Sequence, residues 1–171
     1  MNLYVVRHAD ALPIGGTVTR DADRRLSPRG ERDAALMGKA LALIEPQIDI
    51  IVTSPLARAQ QTGELLGEKV SDHPILRVTD NLAPGFSQSK LFKELMDLSG
   101  GANLVAVGHQ PDMSMLISYL MTDSVHAAIE LTPCAVAKLK ILGTVTKPNA
   151  RLSWILTSDV VKCLYPLILG E

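Results

Sequence analysis

At 171 residues, 47% of them hydrophobic, the chain can bury a substantial core and fits one domain, 1–171. That apolar content excludes a disordered chain, and a formal net charge of -1 argues against a general binder of nucleic acid or of an anionic membrane. Only 4% of the residues are aromatic, so the core must be aliphatic.

Short β-branched runs bounded by turn residues alternate with longer helical patterns, which indicates an α/β protein with a mainly parallel sheet. The first predicted strand is Leu3 to Val6, followed by a Gly- and Arg-rich loop through Pro13, Gly15 and Gly16. Arg20, Arg24, Arg25, Arg29 and Arg32 crowd the next stretch, interleaved with Asp21, Asp23, Glu31 and Asp33. That mixture reads as a solvated, internally paired face, with the option of docking an acidic partner. Ala34, Met37, Leu41 and Ile44 recur at helical spacing and predict a helix from Pro28 to Ile44. Asp49 to Thr53 is the second strand. Ser54 then reads as an N-cap with Pro55 at the first helical position, opening a helix that runs to Glu68. A weaker strand, Ile75 to Val78, precedes a helix over Lys90 to Leu98 and a strand over Asn103 to Val107. Pro111 opens a further helix with Leu116, Ile117 and Leu120 on one face; Met113, Met115 and Met121 read as core filling around it. Ala135 to Leu142 and Arg151 to Leu156 are predicted strands joined by a hairpin-like turn, Gly143 to Asn149, so this part is expected to be antiparallel.

Cys134 and Cys163 lie far apart in apolar surroundings and form no CxxC pair, which suits reduced, buried thiols. The start of the chain runs straight into a strand with no leader-like segment, and the apolar run Leu164 to Leu169 is too short to span a bilayer. The expected compartment is the cytoplasm.

Three places repeat one layout, in which a buried strand ends, a polar residue follows and a turn or helix begins. They are Tyr4-Val5-Val6-Arg7-His8, Ile50 to Arg58, and Val105-Ala106-Val107-Gly108-His109-Gln110-Pro111. Ligands of open α/β sheets bind outside the carboxyl ends of the strands. If these strands are parallel neighbours, Arg7, His8, Arg58 and His109 converge. Two guanidiniums and two imidazoles with no carboxylate among them make a poor metal site, because the arginines would repel a cation, but they suit a dianionic phosphoryl group, and no metal is expected. The helix starts at Pro55 and Pro111 add a field favourable to an anion at the same rim. His73 and His126 read as structural or surface residues, and Asp10 as a residue that shapes the loop.

Arg7-His8-Ala9 resembles the Arg-His-Gly signature of the histidine phosphatase superfamily, which includes the phosphoglycerate mutases. Arg25-Leu26-Ser27-Pro28-Arg29-Gly30 is similar to its post-loop helix start, Ser54 to Thr62 to its second arginine motif, and Gly108-His109 to its second histidine. The lack of a large inserted cap is most similar to the SixA-type phosphohistidine phosphatases. The resemblance implies a phosphoglycerate mutase-like, three-layer sandwich with a mostly parallel central sheet flanked by helices. It also implies a metal- and cofactor-independent phosphatase. In it His8 would accept the phosphoryl group and Arg7, Arg58 and His109 would hold its oxygens; Arg25 is placed either to reach the phosphate from the loop or to stay on the solvated face.

Two positions depart from the family pattern. Ala9 stands where Gly is usual, and Asn81 falls where many members place an acid, with Asp80 beside it as the candidate proton donor. A weak acid favours a nitrogen leaving group, because a protonated imidazole departs as a base with a conjugate acid near 6.5 whereas an alkoxide is far more basic. Protein phosphohistidine is therefore the expected substrate. A small phosphorylated metabolite, with Asp80 as acid, is one alternative, and a phosphate-binding module without turnover is another.

Overall fold

A computed structural model describes residues 1–16, 18–45, 47–70, 74–126 and 128–169. Its elements are, in chain order, β1 (Asn2–Arg7), α1 (Pro28–Ile44), β2 (Ile50–Thr53), α2 (Ala57–Gly67), β3 (Ile75–Val78), α3 (Gln88–Ser99), β4 (Leu104–Gly108), α4 (Asp112–Thr122), β5 (Val136–Ile141), β6 (Ala150–Leu156) and α5 (Ser158–Leu169). Short 3-10 turns occupy Asp21–Asp23 and Asp80–Leu82.

One six-stranded sheet runs in the order β3-β2-β4-β1-β5-β6. The first four strands are mutually parallel, whereas β5 runs antiparallel to both β1 and β6. The sequence shows why. β1, β2 and β4 are nearly continuous apolar runs, as strands covered on both faces require, and their interior residues are buried. β3 is an edge strand with every residue exposed, which accounts for its weak signal. The hairpin turn closes as expected, with the N–H groups of Leu142 and Gly143 both donating to the Asn149 carbonyl.

Each face of the sheet carries its own core. Leu91, Phe92 and Leu95 of α3 and Leu116, Ile117 and Leu120 of α4 pack with Leu3, Val5, Val52 and Ala106. On the other face Ala34, Met37 and Leu41 of α1, Ala59 and Leu66 of α2, and Val161 of α5 pack with Tyr4, Val6, Ile51 and Val105. The result is the expected three-layer α/β sandwich.

Four details differ from the sequence expectations. Helix α2 starts at Ala57: Ser54 Oγ accepts from the Leu56 N–H at 3.3 Å as well as bonding His109, but Leu56 stays extended and takes the N-cap position. Helix α5 was not expected at all; Lys162 donates to Asp33 at 2.8 Å and Lys39 to the Tyr165 hydroxyl at 3.0 Å, docking it on α1. Cys134 is buried, but Cys163 is exposed on α5. Of the three methionines, Met113 fills the core, Met115 is half-buried and Met121 is 37% exposed. His126 is exposed, and His73 lies outside the described residues.

Candidate active site

The parallel register sets the site. Arg7 pairs with Gly108 across β1 and β4, and Thr53 pairs with Val107 across β2 and β4. The residues that follow these strand ends, His8, His109 and Ser54, therefore stand side by side at one rim. The His8 N–H donates to the Gly108 carbonyl at 2.9 Å and the Ser54 N–H to the Val107 carbonyl at 3.0 Å, which extends the ladder one residue beyond each strand. The His8 and His109 rings lie 5.1 Å apart between centroids.

Arg58 arrives from the first turn of α2, with its side chain only 6% exposed. Its Nε donates to His8 Nε2 at 3.1 Å. The other imidazole nitrogen, Nδ1, lies 2.7 Å from the Ala9 carbonyl, and only a protonated Nδ1 can bond there. His8 is thereby held in the tautomer whose Nε2 carries a lone pair. Burial is the largest influence on this ring and lowers its pKa to about 4; Arg58, Arg7 and Arg24 push the same way, and the bond to Ala9 opposes them. His8 is neutral at pH 7.

His109 is buried, and its Nε2 lies 2.7 Å from Ser54 Oγ. Burial first, then His8 and Arg58, lower its pKa to about 3, against a smaller opposing pull from Asp21. Arg7 donates from Nη1 to the Leu131 carbonyl at 2.8 Å, and burial lowers its pKa. Two buried polar atoms in this cluster, Arg7 Nε and His109 Nδ1, have no hydrogen-bond partner. Orphaned buried polar groups are costly, so their clustering marks a place where an outside ligand supplies the missing partner.

The backbone around His8 is fixed from α1 and α2. The Ala9 N–H donates to Thr62 Oγ1 at 3.1 Å, and Thr62 Oγ1 donates to the Arg58 carbonyl at 2.7 Å. Ala9, where the family pattern has Gly, is fully buried, so the turn accommodates its methyl group. Ser27 caps α1 by accepting from the Gly30 N–H, and its hydroxyl donates to Asp10 at 2.5 Å. Gly30 allows a close approach that nothing larger could make, since a Cβ there would stand 2.0 Å from the Asp10 carbonyl oxygen. Asp10 thus shapes the loop, as expected.

The structure brings together Arg7, His8, Arg58 and His109, while Arg25 and Asp80 are exposed. Arg25 is exposed and lines a surface cleft of about 480 Å³ with Arg20, Asp23, Gln60, Gln61 and Glu64. Its neighbour Arg24 is the one whose charge acts on His8. Asp80 is exposed on its 3-10 turn and is not among the charges acting on either histidine. Asn81 donates to Glu94 at 2.6 Å. Sequence reasoning missed Ser54 as the partner of His109, Thr62 as the clamp on the nucleophile turn, and Asp21. The last adds a carboxylate to a cluster expected to have none: Arg58 Nη2 donates to Asp21 Oδ2 at 2.9 Å and Nη1 to the Asp21 carbonyl at 2.8 Å. Partial burial raises the Asp21 pKa, but bonds from Arg24 and Arg58 outweigh it and leave the carboxyl below its ordinary value.

Two arginines and two neutral imidazoles at parallel strand ends suit a tetrahedral anion. The sequence profile of the histidine phosphatase superfamily (branch 1) matches residues 3–83. An uncharacterized protein of Picosynechococcus sp. is 36% identical over 116 residues, covering 66% of this chain and 68% of its own length. The structure of the protein histidine phosphatase SixA complexed with tungstate shares the fold with a TM-score of 0.81 at 22% identity, over 93% of this chain and 98% of that one. A mycobacterial glucosyl-3-phosphoglycerate phosphatase does so with a TM-score of 0.71 at 20% identity, over 89% and 96%. Profile and fold agree, and the chain belongs to the histidine phosphatase superfamily, branch 1.

Proposed function

We propose that residues 1–171 form one cytoplasmic phosphatase domain that dephosphorylates protein phosphohistidine through a covalent adduct on His8. The observation that carries this reading is the state of His8: neutral, held by the Ala9 carbonyl through Nδ1, with the Nε2 lone pair facing Arg58 in a pocket that contains two unpartnered buried polar atoms. His8 Nε2 attacks phosphorus as the bond to the leaving atom breaks in line. Water then attacks the same phosphorus, the bond to Nε2 breaks, and inorganic phosphate departs. Arg58 and Arg7 hold the equatorial oxygens through guanidinium donors. His109 Nε2 bonds Ser54 Oγ, and in the neutral tautomer that accepts there the unpartnered Nδ1–H donates to a third oxygen. Positioning and electrostatics carry most of the acceleration in a loose phosphoryl transfer.

The substrate class follows from the proton donor. Asn81, an amide that supplies no proton, stands where many family members place an acid, and its side chain is engaged by Glu94. That arrangement suits a nitrogen leaving group, which needs less help than an alkoxide. The site lies at the carboxyl ends of the central strands β1, β2 and β4, with no large inserted domain over it among the described residues, which suits a phosphorylated side chain on a protein. The solved SixA structure supports this class, since its fold is shared and it is described as a protein histidine phosphatase that binds tungstate.

A second reading, a small-molecule phosphomonoesterase, is favoured by the cleft of about 480 Å³ beside the Arg58 loop, a volume typical of small-ligand sites. Parallel assays on a phosphorylated phosphocarrier or phosphotransfer domain and on a panel of sugar phosphates separate the two. Higher kcat/KM on the phosphohistidine protein is expected. Turnover of sugar phosphates alone would assign the second reading, and turnover of neither would leave a phosphate-binding module.

A further inference from the structure

The loop between β1 and α1 is closed at its base and free at its tip. Ala11 bridges Leu26, and the Leu12 N–H donates to the Arg25 carbonyl at 2.9 Å, so the two ends are pinned together. Its tip, the turn Asp21–Asp23, has no buried residue. Polar contacts alone hold this tip. Arg24 bonds the Leu12 carbonyl at 2.6 Å and Asp21 at 3.0 Å, Arg20 pairs with Asp23 at 3.1 Å, and Asp21 binds Arg58 through both its carboxylate and its carbonyl. With Nε on His8, every part of the Arg58 fork is engaged within the protein. Yet on the reading above, which this inference takes as given, that same fork holds the phosphoryl oxygens.

We infer that the Asp21 turn is an autoinhibitory strap: its carboxylate occupies the Arg58 fork as an internal stand-in for phosphate and must be displaced when substrate binds. The physical case rests on two asymmetries. A dianionic phosphoryl group presents more charge and more acceptor oxygens to a guanidinium than one carboxylate does. The strap, for its part, forfeits no apolar burial on leaving, because its three turn residues have none, and Asp21 is already 49% exposed. Apparent affinity then equals intrinsic affinity reduced by the fraction of molecules with the strap open. Arg20, Ala22 and Asp23 also wall the 480 Å³ cleft, so lifting the strap joins that cleft to the phosphate position and opens a path for the leaving group.

Calorimetric titration with inorganic phosphate, which needs no turnover, tests the strap on the wild type, Asp21→Ala, Asp21→Asn and a control on the exposed face of α3, Lys93→Ala. Asp21→Ala is expected to bind phosphate about tenfold more tightly and to lower KM, Asp21→Asn to gain less, and Lys93→Ala to stay within about twofold of the wild type. Phosphate affinity in Asp21→Ala equal to or weaker than wild type would overturn the strap while leaving the phosphatase reading intact. So would a hundredfold fall in kcat at unchanged affinity, which would make Asp21 a proton donor instead. A wild type and variants that bind no phosphate at all would overturn the phosphate site itself, and the strap with it.

Discussion

Acidification from pH 7 to pH 5 should destabilise the protein through the two site histidines. Burial, reinforced by guanidiniums, holds His8 at about 4, and burial with His8 and Arg58 holds His109 at about 3, whereas both return to about 6.5 when the chain unfolds. Both shifts are downward. Between the folded and unfolded values the unfolded chain therefore binds protons that the folded one does not, and stability falls as pH falls below about 6.5. Each pH unit below 6.5 contributes about 1.4 kcal/mol per ring, so pH 5 costs about 2 kcal/mol for each histidine and roughly 3–4 kcal/mol for both. Rings 5.1 Å apart oppose each other's protonation, which keeps both neutral over that interval. Urea unfolding at pH 7 and pH 5 measures the loss, with the double variant His8→Gln, His109→Gln as the reference that retains every carboxylate. The wild type should lose roughly 3–4 kcal/mol more than the double variant. Equal losses would refute the claim that the fold holds these rings neutral.

Arg58→Lys keeps the charge but cannot span His8, Asp21 and a phosphoryl group with one planar fork, and steady-state kinetics should show turnover lower by about a hundredfold or more. Retention within about threefold would reduce Arg58 to a point charge. Thr62→Val leaves the buried Ala9 N–H without its acceptor and should lower stability by about 1–3 kcal/mol in urea, with a fall in kcat as the His8 turn loosens. Gly30→Ala drives a Cβ onto the Asp10 carbonyl, a backbone clash that no rotamer relieves; a loss of about 3 kcal/mol or more is expected from the same unfolding assay.

The four residues that meet at the site were legible because each follows a strand end whose apolar run announces itself, and parallel register then brings those ends together. What the sequence hid depends on side-chain direction and on contacts between distant segments. Arg24 and Arg25 are neighbours on extended backbone, so they point to opposite sides, and only the structure tells which of them turns toward His8. Ser54 read as an N-cap because Ser-Pro before a helical pattern is the usual start signal, yet its hydroxyl serves His109 and the helix begins three residues later. The Asp21–Arg58 and Thr62–Ala9 contacts join residues 37 and 53 positions apart and leave no local pattern. Helix α5 escaped notice because the adjacent Val160 and Val161 and the internal Pro166 are weak helix signals; its docking on α1 stabilises it, which propensity cannot reveal.

The central claim is that the His8 imidazole carries the phosphoryl group between substrate and water. Rapid quenching of the protein with a phosphohistidine protein labelled in its phosphoryl group, followed by peptide mapping, tests it directly. The account predicts acid-labile, base-stable phosphate on His8, absent from His8→Ala. Label on any other residue, or turnover retained by His8→Ala, would contradict it.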